Sequence, residues 1–123
     1  MIKRVGRILC IGAGLIELNL RCALLKEHGW DVLSAGNGHE GVLVFSQQSV
    51  DAVILDLDSD GSEAALIAGE LRRLRPKVPI IMIVDEDRHW VEGATDLASA
   101  LIIKSEEPKT IVPTLTRLLQ RVQ

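Results

Sequence analysis

Four apolar runs of strand length constrain the fold of this chain more than any other feature. They lie at residues 8–11, 53–57, 78–84 and 100–103, and a weaker run, polar at Ser34, lies at 32–35. Apolar strands without alternating polar residues are typical of parallel sheets that are covered by helices on both faces. The runs therefore predict a buried parallel sheet, with the weaker strand at an edge.

Five segments with helical periodicity alternate with these runs. In the first, at 15–27, the apolar stripe comprises Leu15, Leu18, Cys22 and Leu25, spaced by three or four residues. A strand followed by a helix, repeated five times, implies right-handed crossovers and a three-layer α/β sandwich. The other helical segments are predicted at 37–47, 62–74, 90–97 and 108–122.

Length and charge exclude several classes of function. At 123 residues the chain fits one domain, and we expect 1–123 to form it. The net charge of −3, with no basic stripe, argues against nucleic-acid binding. No apolar stretch approaches the ~20 residues of a membrane span, and no secretory leader is visible, so we expect a cytoplasmic protein without membrane contact. Cys10 and Cys22 are predicted to be buried thiols.

Polar residues gather directly after the strands, where ligands bind in open parallel sheets. Gly12 and Ala13 follow the first strand, Asp56 ends the third, and Lys104 follows the fifth. Because the carboxyl ends of parallel strands meet at one edge, we expect Asp56 and Lys104 to converge there. An acidic rim that includes residues 85–87 should border the same edge.

Over essentially its whole length the chain resembles the receiver domain of two-component response regulators. The segments that carry the resemblance are RILCI at 7–11, GWDVLSAGNG at 29–38, DAVILDL at 51–57, VPIIMI at 78–83 and the strand-final Lys104. The resemblance implies a flavodoxin-like fold, a five-stranded parallel sheet in the order 2-1-3-4-5. It also implies a part in phosphorelay signal transduction rather than enzymatic activity.

The resemblance assigns Asp56 to the phosphate-accepting aspartate and Lys104 to the lysine that contacts the phosphoryl group. Other family positions lack their usual side chains: the Mg²⁺-binding acidic pair, the hydroxyl residue ending the fourth strand and the aromatic switch residue are replaced by Gly12, Ala13, Val84 and Leu101. These replacements indicate a degenerate receiver, or pseudo-receiver.

Two functions stay open at this point. The first is a docking module that works independently of phosphorylation; the second is an atypical phosphoacceptor, phosphorylated on Asp56 by a histidine kinase. The Asp56–Lys104 pair is a retained structural ion pair under the first. We expect no resident cofactor, with weak Mg²⁺ binding as the alternative, for which Asp58, Asp85 and Glu86 are the candidate ligands.

Two further motifs are weak. The run from Asp56 to Gly61 imitates the start of a calcium loop, but Ile67 stands where that loop needs a bidentate glutamate. Gly12-Ala-Gly14 imitates a dinucleotide-binding turn, but Glu17 replaces its third glycine. Neither motif predicts a function for this chain.

The expected partner is a protein. In receivers the fourth helix, fifth strand and fifth helix form the face that usually meets partners, and here this face would include Trp90, Val91 and Leu101. A histidine kinase, another receiver or a second copy in a homodimer would suit such a face. The alternative for Trp90 is that it folds back onto the sheet.

Overall fold

The computed structural model describes residues 6–57, 60–87 and 89–120. The strands are β1 (Arg7–Gly12), β2 (Asp31–Ala35), β3 (Ala52–Asp56), β4 (Ile80–Val84) and β5 (Ala100–Ile103). The helices are α1 (Leu15–Glu27), α2 (Gly38–Gln47), α3 (Ser62–Leu74) and α4 (Glu107–Gln120), with a 3₁₀ helix (Lys104–Glu106) before α4.

All neighbouring strands are parallel, and their order is β2-β1-β3-β4-β5. This is the predicted flavodoxin-like order, with the crossover point between β1 and β3. In the β1–β3 register Gly12 lies beside Asp56, and in the β4–β5 register Val84 lies beside Ile103. The strand ends therefore bring the predicted site positions to one edge of the sheet.

Two hydrophobic cores lie on opposite faces of the sheet. Leu9 of β1 packs in one cluster with Phe45 of α2, together with residues of α3. Ile54 of β3 packs in the other with Leu25 of α1, together with residues of α4. Since successive side chains of a strand point to opposite faces, both cores require apolar residues at consecutive positions. This explains the unbroken apolar runs of the sequence.

The helix predicted at 90–97 is not formed. Residues 92–97 make successive turns, in which the amides of Ala94, Asp96 and Ala98 donate to the carbonyls three residues earlier. Gly93 has φ +82°, a left-handed conformation that an α-helix does not accommodate. The prediction failed because the apolar spacing around Trp90 was given more weight than this glycine.

The missing helix leaves one part of the sheet uncovered. Ile102 belongs to the core beneath α1 and α4, so its neighbours Leu101 and Ile103 point to the opposite face. Within the described residues no helix lies over them there, and Leu101 is 53% exposed. An apolar strip of β5 therefore faces outward.

Helix α1 differs from its prediction in which residues it buries. Its buried side chains are Leu18, Arg21, Cys22 and Leu25, whereas Leu15 is exposed, so the prediction of Leu15 in the buried stripe is wrong. The cap predicted for α2 is confirmed, because the Asn37 side chain accepts from the Glu40 amide at 2.8 Å.

Among the described residues no helix has the length and apolar character to cross a bilayer.

Candidate site at the carboxyl edge of the sheet

Asp56 is the centre of the candidate site. It is the last residue of β3, and it is buried although it is charged. The backbone holds it in register, because the Ala13 amide donates to the Asp56 carbonyl at 3.2 Å. A buried carboxylate is stable only when cations or hydrogen-bond donors compensate for the lost water.

Two cations face the Asp56 carboxylate. Arg21 Nη2 donates to Asp56 Oδ2 at 2.7 Å, and Lys104 Nζ lies 3.7 Å from Asp56 Oδ1. Lys104 is closer to the exposed Glu17, at 3.1 Å. The predicted convergence of Asp56 and Lys104 is thus observed. The shorter contact with the Asp56 carboxylate, however, is made by Arg21, a residue that the sequence analysis did not select.

Arg21 contacts two carboxylates at this edge. Its guanidinium donates through Nε and Nη2 to both carboxylate oxygens of Glu107, at 2.6 and 2.8 Å, in addition to Asp56. Parallel contacts of this kind are the strongest ion pairs that proteins form. Since Glu107 opens α4 and Asp56 ends β3, Arg21 joins α1 to both elements.

The ion contacts of Arg21 outweigh its burial. Burial by itself lowers the pKa of Arg21. The hydrogen bond with Glu107 and the negative charges of Glu107 and Asp56 raise the pKa by more than burial lowers it, so the pKa lies above its usual value. The signal for Arg21 was present in the sequence. It lies three residues after Leu18 and four before Leu25, on the stripe that α1 buries.

Gly12 and Ala13 provide no metal-binding side chain beside Asp56. Gly12 is buried, and a Cβ at this position would lie 3.7 Å from Arg21 Nη1 and 3.5 Å from Leu18 Cδ1. Ala13 is exposed. The space beside Gly12 therefore adjoins a guanidinium group.

Of the two other replaced positions, one lies at the carboxyl edge of the sheet and the other within β5. Val84 ends β4 and is half-buried, and Leu101 lies on β5 with its side chain exposed. Neither side chain can donate a hydrogen bond. Ser105, in the 3₁₀ helix after β5, donates from its hydroxyl to Glu86 at 2.8 Å.

Of the three candidate metal ligands, Asp85 and Glu86 lie within the described residues. Asp58 lies outside the described residues. Asp85 accepts from the amide of Asp87 at 3.0 Å, and Glu86 is exposed. In residues 6–57, 60–87 and 89–120, no three His, Cys, Asp or Glu side chains are grouped as a metal ion would need.

Trp90 lies against the core on the α2 and α3 side of the sheet. Its ring packs so closely on Gly61 that a Cβ there would lie 2.5 Å from Trp90 Cε3. The indole Nε1 is buried and has no hydrogen-bond partner among the described residues. Val91, in contrast, is exposed, as is Leu101.

Cys10 and Cys22 are buried free thiols in one core cluster, as predicted. The two thiols are hydrogen-bonded, which lowers the pKa of Cys22 to about 7 although burial opposes the shift. The same hydrogen bond, together with burial, raises the pKa of Cys10. Their contact joins β1 to α1 beside Arg21.

Curated proteins with similar sequences include transcriptional regulatory proteins. No protein-family model matches the chain. The transcriptional regulatory protein AruR of Pseudomonas aeruginosa is 29% identical over 126 residues, which cover 97% of this chain and 51% of AruR. PilH of the same organism is 26% identical over 119 residues, which cover 94% of this chain and 98% of PilH. The chain thus spans about half of AruR and nearly all of PilH.

Solved structures agree with these sequence matches. The response regulator TrrA of Thermotoga maritima, in complex with Mg²⁺ and BeF, superposes with a TM-score of 0.83 at 25% identity, over 94% of this chain and all of TrrA. The chain has the receiver fold. TrrA has also been solved in complex with the histidine kinase ThkA, and that copy superposes with a TM-score of 0.81. The homologues and structural neighbours of the chain are receiver domains of response regulators.

Proposed function

We propose that this receiver-like domain is a non-enzymatic pseudo-receiver that signals by docking onto a protein partner, without a phosphoryl group on Asp56. The contact between Arg21 and Asp56, at 2.7 Å, carries the proposal. It engages Oδ2, one of the two carboxylate oxygens that could accept a phosphoryl group, in a buried part of the fold. A carboxylate held in this way is better suited to support the fold than to react.

The residues around Asp56 do not fit Mg²⁺. This ion prefers near-octahedral oxygen ligands and usually one or two protein carboxylates. Gly12 and Ala13 have no side-chain oxygen, and Asp56 Oδ2 already accepts from the Arg21 guanidinium. A divalent cation at this position would also lie against a positive charge. We therefore include no resident metal in the proposed function.

The poor fit to Mg²⁺ bears directly on phosphoryl transfer. Such transfer depends mainly on positioning and on neutralising the charge of the phosphoryl oxygens. Val84 and Leu101 also lack the polar and aromatic groups that the family resemblance assigns to reporting phosphorylation. A phosphorylated Asp56 would thus lack the family's means of changing the surface.

The second candidate function is an atypical phosphoacceptor that a histidine kinase phosphorylates on Asp56. One observation favours it, the position of Lys104 Nζ at 3.7 Å from Asp56 Oδ1. A lysine at this distance could contact a phosphoryl group on Asp56. This candidate requires that Arg21 release Asp56, at the cost of a buried ion contact.

Mass spectrometry separates the two candidates. The domain is incubated with MgCl₂ and acetyl phosphate, and its intact mass is followed beside that of Asp56→Asn. We expect no phosphoryl increment in either protein. An increment that appears in the wild type and is absent from Asp56→Asn would overturn the proposed function and establish the second candidate.

We propose that the docking surface includes Val91 and Leu101, and that Trp90, which packs against the core, lies beneath this surface. Leu101 is 53% exposed, on the face of β5 that the missing helix leaves open, and Val91, in the segment before β5, is 40% exposed. The TrrA–ThkA complex makes a histidine kinase a suitable partner, with another receiver or a second copy as the alternatives. Apolar residues of this kind commonly form the centre of protein interfaces.

Substitution tests this surface. We expect Val91→Glu and Leu101→Glu to abolish both self-association in analytical ultracentrifugation and capture of a kinase or receiver from a lysate of the host. Leu66→Glu is the matched control, because Leu66 is an exposed apolar residue on α3. Equal capture by all three variants would exclude this surface.

A further inference from the structure

Arg21 lies where the family resemblance expects a metal ion. Its Nη2 donates to Asp56 Oδ2 at 2.7 Å, and its Nη1 lies near Gly12, 3.7 Å from where a Cβ of that residue would be. Gly12 and Asp56 are paired in the β1–β3 register. The guanidinium therefore lies between Asp56 and the end of the strand that would supply the metal-binding acidic pair.

The environment of Arg21 is built for a cation. The side chain is buried, and two carboxylates, Asp56 and Glu107, accept from it. Nη1 is buried without a hydrogen-bond partner among the described residues, beside the glycine. A buried donor without an acceptor costs stability. The neighbouring residue, Gly12, has no side chain that could accept from it.

We propose that Arg21 is the resident cation of this site, that it takes the place of a divalent metal, and that it couples Asp56 to the start of α4 through Glu107. The inference rests on the proposed function, since it gives the physical reason for a metal-independent site. The inference goes beyond the proposed function in two ways. It assigns the positive charge of the site to one side chain, and it predicts that a divalent metal ion can replace that side chain. Removing the charge should leave the carboxylates of Asp56 and Glu107, which accept from Arg21, as oxygen ligands for a divalent ion.

A matched pair of variants tests the exchange. Arg21→Gln removes the positive charge and keeps polar atoms in the side chain, whereas Arg21→Lys keeps the charge. Melting temperatures of both variants and of the wild type are measured by circular dichroism in millimolar MgCl₂ and in NaCl of equal ionic strength. We expect MgCl₂ to raise the melting temperature of Arg21→Gln by at least about 3 °C and to leave the other two unchanged.

Two results would overturn the inference. One is an equal rise in the wild type or in Arg21→Lys, because a divalent ion would then bind despite the positive charge. The other is no rise in Arg21→Gln, because the metal could then not replace the guanidinium.

The test remains decisive where Arg21→Gln does not fold in metal-free buffer. Dialysis from urea into buffer with or without MgCl₂ then gives the readout. Recovery of folded protein only with MgCl₂ supports the exchange, and no recovery with either buffer overturns it. The docking proposal is tested separately, by the phosphorylation assay on wild-type Asp56 and by partner capture with Val91→Glu and Leu101→Glu.

Discussion

Two cations face Asp56, and we expect them to differ strongly in their contribution to stability. Arg21 Nη2 lies 2.7 Å from the carboxylate, with the arginine side chain 1% exposed and that of Asp56 7% exposed. Lys104 Nζ lies 3.7 Å away, and its side chain is 35% exposed. Arg21→Met and Lys104→Met remove one charge each and keep an unbranched apolar stem.

The magnitudes follow from burial. Arg21→Met leaves the buried Asp56 and the partly buried Glu107 without their main partner, and breaking a buried pair in this way costs about 3–5 kcal/mol. Lys104→Met leaves Asp56 its shorter contact with Arg21, and a pair screened by solvent contributes about 0–1 kcal/mol. We therefore expect the loss to be at least about threefold larger for Arg21→Met.

Urea unfolding followed by circular dichroism measures both losses through the midpoint and the slope. Arg73→Met is the control, because Arg73 forms an exposed pair with Glu70 and should change stability by no more than about 0.5 kcal/mol. The reasoning is refuted if Lys104→Met costs as much as Arg21→Met. It is equally refuted if Arg21→Met is as stable as Arg73→Met.

Two further predictions concern other parts of the fold. The hydrogen bond from Cys10 lowers the pKa of Cys22 to about 7, so alkylation of Cys22 by iodoacetamide should accelerate as the pH rises through that value. Peptide mass mapping follows the reaction, and Cys10→Ala should move its midpoint to higher pH. Gly61 and Gly29 have similar φ angles, +91° and +92°, but only Gly61 is packed against Trp90. Gly61→Ala should therefore cost at least about 1 kcal/mol more than Gly29→Ala in thermal unfolding, and equal losses would show that Trp90 moves aside freely.

The sheet was predictable because its signal is repeated along the chain. Each strand carries its own apolar run, and the order of strands and helices restricts the topology to few solutions. The convergence of Asp56 and Lys104 followed from this order alone, since both lie at carboxyl ends of strands. The parts of the site that depend on the sheet were therefore accessible from the sequence.

Arg21 and the segment at 90–97 were not predicted, for two different physical reasons. Arginine is seldom fully buried, so the predicted apolar stripe of α1 contained Leu15 and left Arg21 out. Only the three-dimensional partners, Asp56 and Glu107, make its burial favourable. At 90–97 the left-handed conformation of Gly93 interrupts the helix, and the spacing of apolar residues gives no information about that conformation.

Charge balance explains why the site is stable as it stands. Among the described residues, Arg21 and Lys104 contribute positive charges beside Asp56, and Asp56 and Glu107, the carboxylates that Arg21 contacts, contribute two negative charges that balance them. The remaining nearby carboxylate, Glu17, is exposed and pairs with Lys104 at the solvent side. A divalent cation added to this set would leave an excess positive charge in a buried region, which costs free energy unless another group is displaced. The group to displace is the Arg21 guanidinium, and its departure would also release Glu107 at the start of α4. Under the proposed role of Arg21, metal exclusion and the position of α4 depend on the same side chain.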